Sequence, residues 1–198
     1  MTARVRDTRG FTLAELLVVI AILGFIMAGL FTLQRQGQLA YLTGSARVEV
    51  QQNARFALNM MIADIRTALP QPGPGATMLA AIDVNCQNGP APTNGGGTSI
   101  QFLDENNVDT TYAIAAAGTG DCTAASAPCL QKNLVTVIGG VQQLQIWCYN
   151  SLGNLDSTLA NVREVRVQIR TKTERGAAAG TAGDQHAVAE SRVRFRNI

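Results

Sequence analysis

Arg9-Gly10-Phe11-Thr12-Leu13-Ala14-Glu15, followed by the uncharged run Leu16 to Leu33, decides how the rest of the chain is read. Phe11 to Leu33 is about 23 residues, roughly 35 Å as an α-helix, and sufficient to cross a hydrocarbon core of roughly 30 Å. One charge interrupts it, Glu15. An ionised carboxylate near the middle of a spanning helix costs on the order of 3 kcal/mol on insertion scales, and less near an end. Glu15 therefore needs a partner. A cut between Gly10 and Phe11 creates a new α-amino group one helical turn from Glu15, and a neighbouring copy could present its own amine to this carboxylate. Two plainer readings fit less well. A secretory signal has an apolar core of about 7 to 15 residues and small residues at a cut on its far side, whereas this core is longer and its small-residue site poor. A simple signal anchor fits the length but gives Glu15 no role.

The segment RGFTLAELLVVIAILGFIMAG resembles the N-terminus of type IV prepilins and type II secretion pseudopilins: a basic leader, Gly at the cut, Phe as the new first residue and Glu as the fifth. In that family a prepilin peptidase removes the leader and methylates the new amine, after which the apolar helices pack into a filament core. The resemblance implies Gly10 as the cleavage position, Phe11 as the methylated terminus and Glu15 as the carboxylate of an assembly salt bridge. Many major pilins carry a proline late in this helix. Here the only breakers are Gly24 and Gly29, so the same local melting is not expected.

Length and charge bound the remainder. The chain has 198 residues, which leaves about 165 beyond leader and span, the common size of one domain. Arg4, Arg6, Arg9 and Asp7 together account for the whole formal charge of +2. A basic excess therefore says nothing about nucleic acid; the leader arginines instead set topology, staying cytoplasmic and sending the remainder out. Export places Cys86, Cys122, Cys129 and Cys148 in an oxidising space, where four cysteines read as two disulfides with three possible pairings. Cys122 with Cys129 is favoured because they bracket the short turn-rich stretch Thr123 to Pro128, leaving Cys86 with Cys148. The second bridge would close about 60 residues and stabilise by roughly 4 kcal/mol through loop entropy. A zinc site is the rival, but there is no CxxC spacing and the single histidine is His186.

After Leu33 the chain becomes amphipathic. Ala54, Leu58, Met61, Ile65 and Leu69 recur at three- and four-residue steps, Met60 and Ile62 widen the stripe, and Gln52, Asn59 and Arg66 lie opposite. Pro70, Pro72 and Pro74 end it, so one helix from Phe11 to about Ala68 is expected, with Gly37 and Gly44 as places to bend. Residues 71 to 97 read as loop; Gly95 to Gly97 are no phosphate loop, because no Gly-Lys-Ser/Thr follows. From Ser99 the period becomes two: Ile100 and Phe102, then Tyr112 and Ile114, flank Asp104-Glu105-Asn106-Asn107 as a hairpin. That turn is a calcium candidate through Asp104 and Asp109, with Glu105 and Asn106 adding oxygens. It does not match the EF-hand loop, and oxygen-rich turns are usually just solvated. Ala113 to Ala127 reads as small-residue loop. Leu134 to Ile138 and Val141 to Cys148 are strand candidates, Val165, Val167 and Ile169 give the clearest half-buried strand, Lys172 to Glu190 reads as a mobile connection, and Val193 with Phe195 forms a last short strand.

The expected class is α+β: a long N-terminal helix packed on an antiparallel β-sheet, the pilin fold, with disulfide-stapled loops. Its parts are a cleaved leader (1–10), a membrane or filament-core half of the helix (11–33), an amphipathic half (34–69) and a β-rich periplasmic head (70–198). A helix containing QQNARFALNMMIADIRTA, with strands VREVRVQIR and SRVRFRNI at the end, resembles minor pilins of the PilW kind and the related J-type pseudopilins. Some pseudopilins use calcium. The resemblance implies a structural subunit that starts or caps a pilus or secretion filament, partnered by the prepilin peptidase, other minor pilins, the major pilin, an inner-membrane assembly platform and, before assembly, membrane lipid. It implies an inner-membrane protein with its head in the periplasm, then a place in a pilus or pseudopilus. Neither cofactor nor catalysis is expected, since His186 lies in an Ala/Gly-rich stretch beside Asp184, with no nucleophile elbow. The alternatives are a binding module, adhesive or DNA-directed, and a periplasmic enzyme on a signal anchor. The arginines of the last two strands form a basic stripe, but no aromatics are seen interleaved at stacking positions, and charged outward faces are expected of edge strands.

Overall fold

The computed structural model describes residues 12–71, 77, 79, 81–82, 98–156, 158–174, 181 and 184–196. Gly10, Phe11 and Cys86, and with them the cleavage site, the methylated terminus and one half of the expected second disulfide, lie outside the described residues. The chain divides into two compact units, Met1–Leu42 and Thr43–Ile198.

A single helix, α1, runs Leu13–Thr67. Within the first unit every described side chain is exposed, including Leu16, Ile20, Phe25 and Phe31. The helix has the length and composition of a membrane span, and a surface this apolar is not one that water alone covers. Within the second unit its character changes: Ala46, Val50, Ala54, Ala57, Leu58, Met61 and Ile65 are buried, while Gln52, Asn59 and Arg66 are exposed. The helix ends at Thr67 because Pro70 forces the residue before it out of helical geometry. Leu69 instead donates its N–H to the Leu103 carbonyl at 2.9 Å, entering a β-bridge.

The strands of the second unit form two antiparallel sheets rather than the single one expected. The five-stranded sheet follows chain order: β1 (Ala81–Ile82), β2 (Ser99–Leu103), β3 (Asp109–Ala115), β4 (Cys129–Lys132) and β5 (Val135–Ile138). β2 and β3 form the expected hairpin around residues 104–108, with Ile100 opposite Tyr112. The three-stranded sheet contains β6 (Val141–Tyr149), β7 (Glu164–Lys172) and β8 (His186–Arg194), with β7 central. Gly140 lies at the step between the sheets at φ +68, and a Cβ there would collide with the Lys172 carbonyl oxygen, so only glycine fits. Its carbonyl accepts from Lys172 N–H and its N–H donates to Ser126 O, both at 2.7 Å.

One core joins the elements. Leu58, Met61 and Ile65 of α1 pack with Ile100, Phe102 and Tyr112 of the first sheet and with Leu144, Ile146, Val165, Val167 and Ile169 of the second. Three expectations need correction. Ala113 to Ala115 belong to β3, not to a loop. Residues 186–190, read as a mobile connection, form the first half of a nine-residue strand; Ala187, Ala189 and Ser191 alternate correctly but are too small to register as an apolar face, and pairing with β7 supplies the order. Strand β4 was not anticipated, because Cys129-Leu-Gln-Lys shows no period-two pattern, and all but Lys132 are buried.

Candidate functional site

The N-terminal site is built around Glu15. Thr12 precedes the first helical residue. Its Oγ1 accepts the Glu15 N–H at 3.3 Å, and the Glu15 Oε2 accepts the Thr12 N–H at 3.5 Å. This reciprocal pair is a capping box, satisfying two of the amides that a helix start leaves without partners. Sequence reasoning gave Glu15 no partner in its own chain and so missed a legible signal: Thr-x-x-Glu ahead of an apolar run is the capping-box pattern. The carboxylate has two uses available to it, a local cap and an ion pair with an amine. The capping bond is long and solvent-exposed, so it leaves the second use open.

In the second unit, Cys122 and Cys129 are bridged with their Cα atoms 5.9 Å apart, as the spacing predicted. The bridge sits with Ala115 and Ala127 in a small apolar cluster of its own. The loop it closes is fixed further by Asp121, whose carboxylate accepts the Thr136 N–H at 2.6 Å and is held below the usual carboxylate range by its bonds from Thr136. Cys148 is disulfide-bonded as well.

The Asp104 turn uses its oxygens internally: Asp104 Oδ1 accepts N–H bonds from Asn106 at 2.8 Å and Val108 at 2.9 Å. Asp109 begins β3 opposite Leu103. Among the described residues, no three acidic, histidine or cysteine side chains gather as a metal site. The one histidine pairs through Nε2 with Asp184 Oδ1 at 3.2 Å.

The arginine stripe is real in position, and two of its members are already engaged. On the outer face of the three-stranded sheet, Arg166 bonds Glu190 Oε2 at 2.6 Å, and Arg192 pairs with Glu164. The bond to Arg166 holds the Glu190 carboxyl below its ordinary range. The expected lack of interleaved aromatics is corrected: Arg166 lies 5.5 Å from the centroid of Trp147, and Arg192 lies 4.0 Å from that of Tyr149. Trp147 and Tyr149 come from β6, two strands from Arg192 in sequence order, so no reading of β7 and β8 alone could place them.

A further constellation was not foreseen. Asp64 on α1 accepts both the Tyr112 hydroxyl at 2.5 Å and the Lys132 Nζ at 2.6 Å. Burial first, and then the Asp64 carboxylate, push the Tyr112 hydroxyl well above its usual pKa. Beside this clamp is an apolar recess of about 470 Å³ lined by Phe56, Met60, Lys132, Asn133, Val135 and Val137.

With this geometry in place, comparison with known families gives one match: residues 5–31 fit the prokaryotic N-terminal methylation motif. Neither curated proteins nor solved structures give a match to the chain. The motif supports a prepilin-like chain and a type IV pilin-like subunit in general. Together with the apolar helix it describes a membrane-anchored, single-pass protein.

Proposed function

We propose that this chain is a minor pilin-like structural subunit that starts or caps a type IV pilus or a related secretion filament. A prepilin peptidase cuts after Gly10 and methylates Phe11. The apolar half of α1 holds the subunit in the inner membrane and then enters the filament core, with the head on the periplasmic side. Its partners are other minor pilins, the major pilin and an inner-membrane platform. It performs no catalysis and needs no cofactor. The observation that carries this reading is the conjunction of the methylation motif with a single carboxylate, Glu15, at the head of a helix whose apolar side chains are exposed throughout its first unit. The DNA-binding alternative has less support, because Arg166 and Arg192 are already paired with carboxylates.

The capping box makes the test sharper. Glu15→Gln keeps a side chain able to accept the Thr12 amide but removes the charge, whereas Glu15→Leu removes both. Filament yield should fall in both variants while membrane insertion and the mass of the processed N-terminal peptide stay normal. Wild-type yield from Glu15→Gln alongside failure of Glu15→Leu would reduce Glu15 to a helix cap. A purified chain that retains Met1 would remove the prepilin reading altogether.

A further inference from the structure

Among the described residues, strand β8 is the outermost strand of its sheet and pairs on one side only, with β7. The parity of the ladder is fixed at both ends: Thr173 N–H donates to Gln185 O, and Phe195 N–H to Arg163 O, each at 3.2 Å. Odd-numbered residues of β8 therefore turn their main-chain groups toward β7. The even-numbered ones, His186, Val188, Glu190, Arg192 and Arg194, turn theirs away. All five are exposed.

Proteins normally blunt such an edge with charged side chains, proline, a bulge, a short strand or a covering element; of these, β8 shows the charges Glu190, Arg192 and Arg194, and Glu190 and Arg192 are held in ion pairs. β8 runs nine residues without proline, and its register with β7 continues unbroken from Glu164–Arg194 to Lys172–His186. By contrast, the β6–β7 and β4–β5 ladders both carry a register shift. A straight edge of this length is the form used for strand addition, in which an extended segment supplies the missing hydrogen bonds and alternate side chains supply specificity.

The surroundings select the charge of that segment. A cleft of about 180 Å³ between α1 and the first half of β8 is lined by Arg47, Gln51, Ala54, Arg55 and residues 186–189. Arg47 and Arg55 are exposed and form no ion pair among the described residues. Carboxylates near the cleft are already engaged: Asp184 with His186, Glu190 with Arg166, and Glu49 with the Glu174 N–H at 3.3 Å. Arg47, Gln51 and Arg55 repeat every four residues, about 6 Å per step, close to the roughly 6.8 Å between alternate residues of a strand. A second copy of β8 is a poorer occupant, since the antiparallel register that pairs all nine residues sets Glu190 against Glu190 of its copy, and like charges directly opposite destabilise.

We propose that the free edge of β8 binds an extended acidic segment of another protein by strand addition, with alternate carboxylates of that segment meeting Arg47 and Arg55. This goes beyond filament assembly and does not rest on it. The probe is a labelled nine-residue peptide of alternating threonine and glutamate, titrated against the full chain in detergent micelles. Binding should saturate and slow amide exchange at Val188, Glu190 and Arg192. It should weaken at least tenfold when alternate peptide nitrogens are methylated, and at least tenfold for the charge-reversed protein Arg47→Glu/Arg55→Glu. A threonine–lysine peptide should not bind. Equal affinity for the N-methylated peptide, or protection elsewhere in the head, would overturn strand addition. Undiminished binding to the charge-reversed protein would overturn the acidic partner. Protection of the same three amides by self-association without peptide would assign the edge to a second copy instead.

Discussion

Replacing Asp64 with alanine should cost the head about 2–4 kcal/mol, most of it through Tyr112 rather than Lys132. Tyr112 has 0% exposure, and its hydroxyl has the Asp64 carboxylate as acceptor at 2.5 Å. A hydrogen bond to a charged group contributes about 1.5–3 kcal/mol, and a buried donor stranded without an acceptor costs about 1–3. The Lys132 pair is partly solvated, its side chains 35% and 25% exposed, so screening holds its share to about 1 kcal/mol at most. Tyr112→Phe, which removes donor and need together, should cost about 1–2 kcal/mol, and Lys132→Met under about 1. Asp64→Ala and Tyr112→Phe should couple by about 1–2 kcal/mol in a double-mutant cycle. Urea unfolding of the full chain in constant detergent, followed by fluorescence, measures this directly. Trp147 is the single tryptophan and has 0% exposure, so its emission reports the state of the head. Additivity of the two substitutions within about 0.3 kcal/mol, or a Lys132→Met cost equal to that of Asp64→Ala, would refute the reasoning.

Three further outcomes are expected. Because the fold raises the Tyr112 pKa above its ordinary value of 10.0, its neutral form is the stabilising one. That stability is complete below about pH 10 and declines as pH rises further, and Tyr112→Phe should flatten the alkaline limb of a stability–pH curve. Gly140→Ala should cost about 2–3 kcal/mol in the same urea assay, since the Cβ meets the Lys172 carbonyl at a positive φ. Leu134 sits at φ 69 with 70% of its surface exposed, so Leu134→Gly should raise the urea midpoint by the equivalent of about 1 kcal/mol.

Where the sequence carried a strong period, the architecture was readable. The stripe Ala54, Leu58, Met61, Ile65 became the helix face against the sheets, and Val165, Val167, Ile169 became the inner face of β7. The Cys122–Cys129 bridge followed from a short intervening turn. The misses have a common cause, in that their residues take order from partners distant in the chain. Ala187 and Ala189 are too small to mark a strand, β4 is buried on both faces and so does not alternate, and two sheets arise because Gly140 interrupts what reads as one run of strands. At the N-terminal site the residue was legible but its local bond was overlooked, since Thr12 reads as apolar-run filler until its spacing to Glu15 is noticed. The Asp64 clamp joins positions 48 and 68 residues apart, and nothing in any one segment announces it.

The way α1 grips the head has a mechanical meaning. Thr171, on the central strand of the smaller sheet, donates to the Val50 carbonyl at 2.9 Å, and Asn53 reaches Glu174 at 3.4 Å. Further along the same helix, Asp64 holds the larger sheet through Tyr112 and Lys132. Tension drawn along the helix is thereby shared between both sheets in parallel. Peeling away either one would leave the other bonded to residues 50–64 of the helix.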